Sequence, residues 1–175
     1  MKTRTSYVSN SSSSSFVVIP DKVKDDINNE KYIDVEALTK VFTVGLCSKE
    51  SYDNGKKWDG FLDGGETQFG WQNRKYNDLE SKWNWLVLQA CYGGDESSCF
   101  CNDEYRKLIE DYLHEFDSDF EIDWKEVEKL EKNIDVYIDH QSIDAKGTFE
   151  DVSTVGISQF LLDKRCYVQN GNDNE

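Results

Sequence analysis

Tyr105, Leu108, Ile109, Tyr112, Leu113 and Phe116 follow one another at i, i+3, i+4, i+7, i+8 and i+11. That period belongs to one face of an α-helix and excludes a strand over the same residues, whose side chains alternate between two faces. Asn102 supplies the cap that opens this helix. A second helix runs from a cap at Asn77 or Asp78 to about Tyr92, with Leu79, Trp83, Leu86 and Ala90 on its apolar face. Asp123 and Glu126 have the spacing of a capping box and open a third, with Trp124, Val127 and Leu130 facing inward. Shorter helical stretches fit from the Asp34 cap to Phe42 and near Ser153–Leu162; 41–46 fit a strand equally well.

Period-two and β-branched segments lie between and around these helices. KTRTSYV (2–8) and FVVI (16–19) fit two strands joined as an N-terminal hairpin, closed by Pro20. ETQFGW (66–71), IDVYIDH (134–140) and the segment near Cys166–Val168 fit further strands, and FEI (120–122) a short strand or turn. Residues 21–32 and the glycine-rich 47–65 fit loops. The order shows no regular βαβ repeat. It predicts an α+β fold, a mainly antiparallel sheet with an N-terminal hairpin, covered by three or four helices. The 175 residues fit one domain over 1–169 with a flexible tail at 170–175. Five Trp, nine Tyr and nine Phe supply its core.

The charge balance narrows the partners. There are 35 acidic and 20 basic residues, a formal net charge of -15. A chain of this sign repels nucleic acid and anionic membranes, and no basic run offsets it, so neither direct nucleic-acid binding nor a membrane role is expected. Residues 95–131 hold 14 Asp and Glu against four Lys and Arg, two thirds of the net charge. On the helix after Asn102, the residues Asp103, Glu104, Glu110, Asp111 and Glu115 occupy the polar side. Such an array can imitate phosphates toward a basic protein, or be a solvated helix face. Trp85 lies off the Leu79–Trp83–Leu86 face and is a candidate exposed contact; a wider buried face is the other reading.

MKTRTSYVSNSSSSSFVVI, through Arg4, Thr5, Tyr7, Val8, Ser9, Asn10, Ser11 to Ser15 and Phe16, resembles the N-terminus of a loose set of bacterial and bacteriophage proteins. FGW at 69–71 and YIDHQS at 137–142 are similar to later pieces of the same set, which often has an acidic residue where Ser6 stands. The resemblance implies a phage or prophage origin and a bacterial cytoplasm, and no particular activity.

Two further constellations carry chemistry. Ser9, Asn10, Ser11, Ser12, Ser13, Ser14 and Ser15 can turn backbone N–H groups and hydroxyls toward a phosphate or carboxylate, or can cap their own loop. Asp139, His140 and Ser142 follow a strand, and His140 is one of two histidines. Continuous alternation over 134–140 sends Asp139 and His140 to opposite faces, so they share a site only if the strand has ended before them. Of the five cysteines, Cys91, Cys99 and Cys101, with Cys47 or His114 as a fourth ligand, lack zinc-knuckle spacing. An odd cysteine count without an apolar leader points to reduced thiols in a cytosol; no metal and no cofactor are expected. The leading expectation is a cytoplasmic interaction protein that binds and modulates a host protein, with a basic surface on that partner. The alternative is an anion-binding domain or enzyme built on Ser9–Ser15 and the strand end at Asp139–Ser142.

Overall fold

The computed structural model describes residues 14–27, 36, 38–39, 57–62, 67–70, 73–93, 102–129 and 136–171. In chain order its elements are β1 (Ser14–Val18), α1 (Asp21–Asp25), β2 (Lys57–Trp58), β3 (Thr67–Phe69), β4 (Lys75–Tyr76), α2 (Leu79–Tyr92), α3 (Asn102–His114), β5 (Glu121–Ile122), α4 (Trp124–Val127), β6 (Val136–Ile138), a single 3-10 turn (His140–Ser142), α5 (Ala145–Ser153), α6 (Ile157–Leu162) and β7 (Tyr167–Gly171).

The side chain of Asp78 starts α2 by accepting the Ser81 N–H at 2.7 Å, the N-cap bond that its position allows. From Ser81 to Cys91 every residue of α2 is buried. The helix packs against α3, α5 and α6 and touches β3 and β7, so neighbours enclose it on all sides. Several of its buried polar side chains are satisfied where they lie, as burial demands, whereas the buried Trp85 indole N–H has no hydrogen-bond partner among the described residues. Asn84 pairs with both the N–H and the C=O of Leu62, and the Trp83 indole donates to the Gly60 carbonyl at 2.8 Å. Lys82 Nζ donates to the carbonyls of Phe160, Asp163 and Cys166. Two of those carbonyls lie at the C-terminal end of α6, where helical carbonyls lack partners and a cation is favourable.

β1, β7 and β4 form an antiparallel sheet in that order. Ser15 faces Asn170, and Val17 faces Val168, which also faces Tyr76. These residues line the inner side, while Phe16, Gln169 and Lys75 share an outer row. Aromatic rings knit the interior. Phe69 meets Tyr76 and Trp85 edge-on, and Trp58 stacks on Trp83 at 6.4 Å. Beside the sheet, β2 pairs with β5 and β3 with β6, both in parallel.

The fold is α+β, with an antiparallel sheet and helices, as the pattern predicts. Several details differ. The first strand expected for the hairpin, 2–8, lies outside the described residues, and among those residues β1 pairs with β7. Asp21–Asp25, expected as loop, forms a helical turn directly after Pro20, a residue well suited to a helix start. Ala145–Ser153 is a full helix, capped by Asp144 through the Gly147 N–H at 2.9 Å, that the sequence pattern did not reveal. The expected tail begins too early. Asn170 is buried and Gly171 is paired in β7, leaving only 172–175 outside the described residues. Leu108, placed on the buried face of its helix, is instead 44% exposed. Of the Asp34–Phe42 helix, Glu36, Leu38 and Thr39 are described and helical, with Leu38 buried.

Candidate functional site

β6 ends at Ile138, and the Asp139 N–H continues its ladder by donating to the Phe69 carbonyl at 2.9 Å. The chain then turns, with the Ser142 N–H on the Asp139 carbonyl at 2.8 Å. Because the strand has ended, Asp139 and His140 no longer point to opposite faces. His140 Nδ1 lies 2.9 Å from Asp139 Oδ1. The two side chains differ sharply in setting, with 5% of the Asp139 side chain exposed and 82% of that of His140. Gly70 makes room for the carboxylate. Its φ is +124°, and a Cβ there would stand 2.5 Å from the Asp139 Cβ. Both the backbone conformation and the space therefore demand glycine.

Ser142 is the junction to the serine segment. Its hydroxyl oxygen accepts the Ser15 N–H at 2.9 Å, while its carbonyl accepts from Gln89 Nε2 at 2.7 Å. The Ser15 hydroxyl donates to Asn170 Oδ1 at 2.6 Å, and Asn170 Nδ2 donates to the Gln68 carbonyl at 2.8 Å. Gln89 Oε1 accepts the Asp144 N–H at 2.8 Å. One polar network thus joins β1, β3, β7, α2 and the 3-10 turn at buried positions.

Ser15 and the strand end are neighbours, but the donors of Ser15 are turned inward. Ser15 lies in β1, not in a loop, and its N–H and O–H are both spent on Ser142 and Asn170. This corrects its expected place in an anion cradle. Ser14 opens the same strand, half-buried. Ser9, Asn10, Ser11, Ser12 and Ser13 lie outside the described residues. Gln68, Gln89 and Asn170, which complete the network, were not singled out from sequence. The signal available was an amide inside an apolar run, as with Gln89 between Leu88 and Ala90.

The acidic side of α3 is as open as its pattern suggests, with one exception. Asp103, Glu104, Asp111 and Glu115 are exposed. Glu110 is half-buried and accepts the Trp124 indole N–H at 2.8 Å, which turns it toward α4. Glu104, Leu108, Asp111 and Glu115 stand at spacings of four, three and four and form one stripe. Leu108 is exposed within that stripe of carboxylates. Lys107 pairs with Asp111 along the helix.

Trp85 is a correction. It is fully buried, packed edge-on against Phe69 at 4.9 Å, and presents nothing to a partner. The wider buried face of α2 accounts for this. The described thiols, Cys91 and Cys166, are buried. Burial pushes both up to about 11, so they stay protonated at neutral pH. Among the described residues no group of three or more His, Cys, Asp or Glu is placed to hold a metal. Cys47, Cys99 and Cys101 lie outside them. No helix among the described residues is long and apolar enough to cross a membrane. No protein-family model matches the chain, and no curated protein or solved structure matches it either.

Proposed function

We propose that this chain is an interaction protein that takes a basic partner on the exposed face of α3. The observation that carries the reading is the stripe Glu104, Leu108, Asp111 and Glu115, in which an exposed leucine stands between carboxylates. Carboxylates steer a cationic surface into contact, and the burial of an apolar side chain then slows its release. The net charge of -15 extends the same attraction beyond the helix. The resemblance of the N-terminal segment to a loose set of bacterial and bacteriophage proteins supports a partner from the bacterial host, met in its cytoplasm and modulated or inhibited by occupancy. A partner that binds nucleic acid fits best, because a row of carboxylates on a helix presents charge where a phosphate row would.

The test is capture from bacterial lysate with the wild-type chain and with a Glu104→Gln, Asp111→Asn, Glu115→Gln triple variant. These positions are exposed, so the fold is retained. The expected result is a basic protein held by the wild type, released by added salt and by duplex DNA, and not held by the triple variant. Equal capture by both proteins sinks the proposal.

A further inference from the structure

The two histidines of this chain are held in opposite tautomers. His114 Nε2 lies 2.8 Å from the Phe120 carbonyl, which can only accept, so Nε2 carries the proton and Nδ1 the lone pair. His140 Nδ1 lies 2.9 Å from the Asp139 carboxylate, so in the neutral ring Nδ1 carries the proton and Nε2 the lone pair. The His140 ring is 82% exposed, and its carboxylate is fixed from below by burial and by the approach of Gly70. An oriented imidazole with its basic nitrogen open to solvent is a nucleophile.

We propose that His140 is a phosphoryl-acceptor site, reacting at Nε2, with Asp139 as its positioning residue. The high exposure of the ring suits an acceptor that is reached by a donor with its own binding machinery. The donor class is a phosphoramidate, in which phosphorus is bonded to a protonated nitrogen. The Nε2 lone pair forms the new P–N bond as the donor's P–N bond breaks, and the leaving nitrogen departs as an amine, or as ammonia from phosphoramidate itself. The ring is left cationic, and its Nδ1–H remains directed at the Asp139 carboxylate, which stabilises that charge. This site stands apart from the α3 stripe and does not rest on it.

The experiment treats the full, folded chain with phosphoramidate and follows it by mass spectrometry and by long-range nitrogen–proton NMR of the imidazoles. Before reaction, His140 is expected as the Nδ1–H tautomer and His114 as the Nε2–H tautomer. After reaction, His140 is expected to carry the phosphoryl group at Nε2, forming several-fold faster than any product at His114. Asp139→Ala removes the acceptor for Nδ1–H and is expected to abolish the preference for Nε2, whereas Asp139→Asn keeps an acceptor oxygen and restores most of it. A His140 that reacts at Nδ1, or no faster than His114, overturns the proposal in the wild-type chain alone. The outcome therefore does not depend on whether the alanine variant folds. An unchanged preference in a folded Asp139→Ala chain removes Asp139 from its role.

Discussion

Lys82 is the residue at which burial and charge oppose each other most directly. Its side chain is enclosed, and burial pushes the ammonium down to about 8, against the attraction of Cys166, Asp163 and Asp78. The unfolded chain keeps that proton up to about pH 10.5, so between pH 8 and 10.5 the unfolded state binds more protons than the folded one. Stability contributed by Lys82 therefore rises with pH across this window, by up to about 3 kcal/mol. Below pH 8 both states are protonated, and the penalty of the buried cation is present in full. Cys166 works in the opposite direction between 9 and about 11, since its thiol is held protonated by burial. Comparison with a Lys82→Met variant separates the two. Urea unfolding at pH 7.5 and pH 10 is expected to show the wild type gaining on the variant at the higher pH. A constant difference between the two proteins would rule this account out.

α2 and α3 illustrate what periodicity reveals about an element and what it leaves hidden. The start of α2 was legible because a cap and an apolar period coincide at Asp78 and Leu79, and α3 begins at Asn102, where its apolar period opens. The width of the buried face was not legible. α2 carries Lys82, Asn84 and Gln89 on sides that look solvated, and only the neighbours that receive their hydrogen bonds, distant in sequence, make those sides interior. Trp85 is interior for this reason, whereas Leu108, expected in the core, lies on the exposed side of α3. Replacement of Trp85 by alanine is expected to cost about 3–5 kcal/mol of stability, as for other large core side chains. Leu108→Ala is expected to change stability by no more than about 0.5 kcal/mol. Denaturant titration of both variants checks the pair, and a large loss at Leu108 would place that leucine in the core. The meeting of Asp139 with His140 depended on where β6 stops. The alternation of IDVYIDH continues past that point in sequence, and the turn is fixed by the Ser142 bond to the Asp139 carbonyl. The helix Ala145–Ser153 was missed because Gly147 and Thr148 weaken its local propensity, while the Asp144 cap and the burial of Phe149 and Val152 sustain it.

At the scale of the whole molecule, a net charge of -15 on 175 residues repels itself more strongly when the chain is compact than when it is unfolded. Exposed ion pairs such as Lys107–Asp111 and Lys146–Glu150 offset little of this. Sodium chloride screens the repulsion, so the melting temperature is expected to rise as salt is added from low ionic strength to about 0.15 M, where the Debye length is about 8 Å. A melting temperature that falls over the same range would show that attractive pairs dominate instead. The sheet adds a constraint on how such a molecule comes into being. β7 lies between β1 and β4, and Ser15 closes on Asn170 across 155 positions. Until β7 emerges from the ribosomal exit tunnel, neither flanking strand has its central neighbour, and the edges of β1 and β4 wait open to chaperones and proteases.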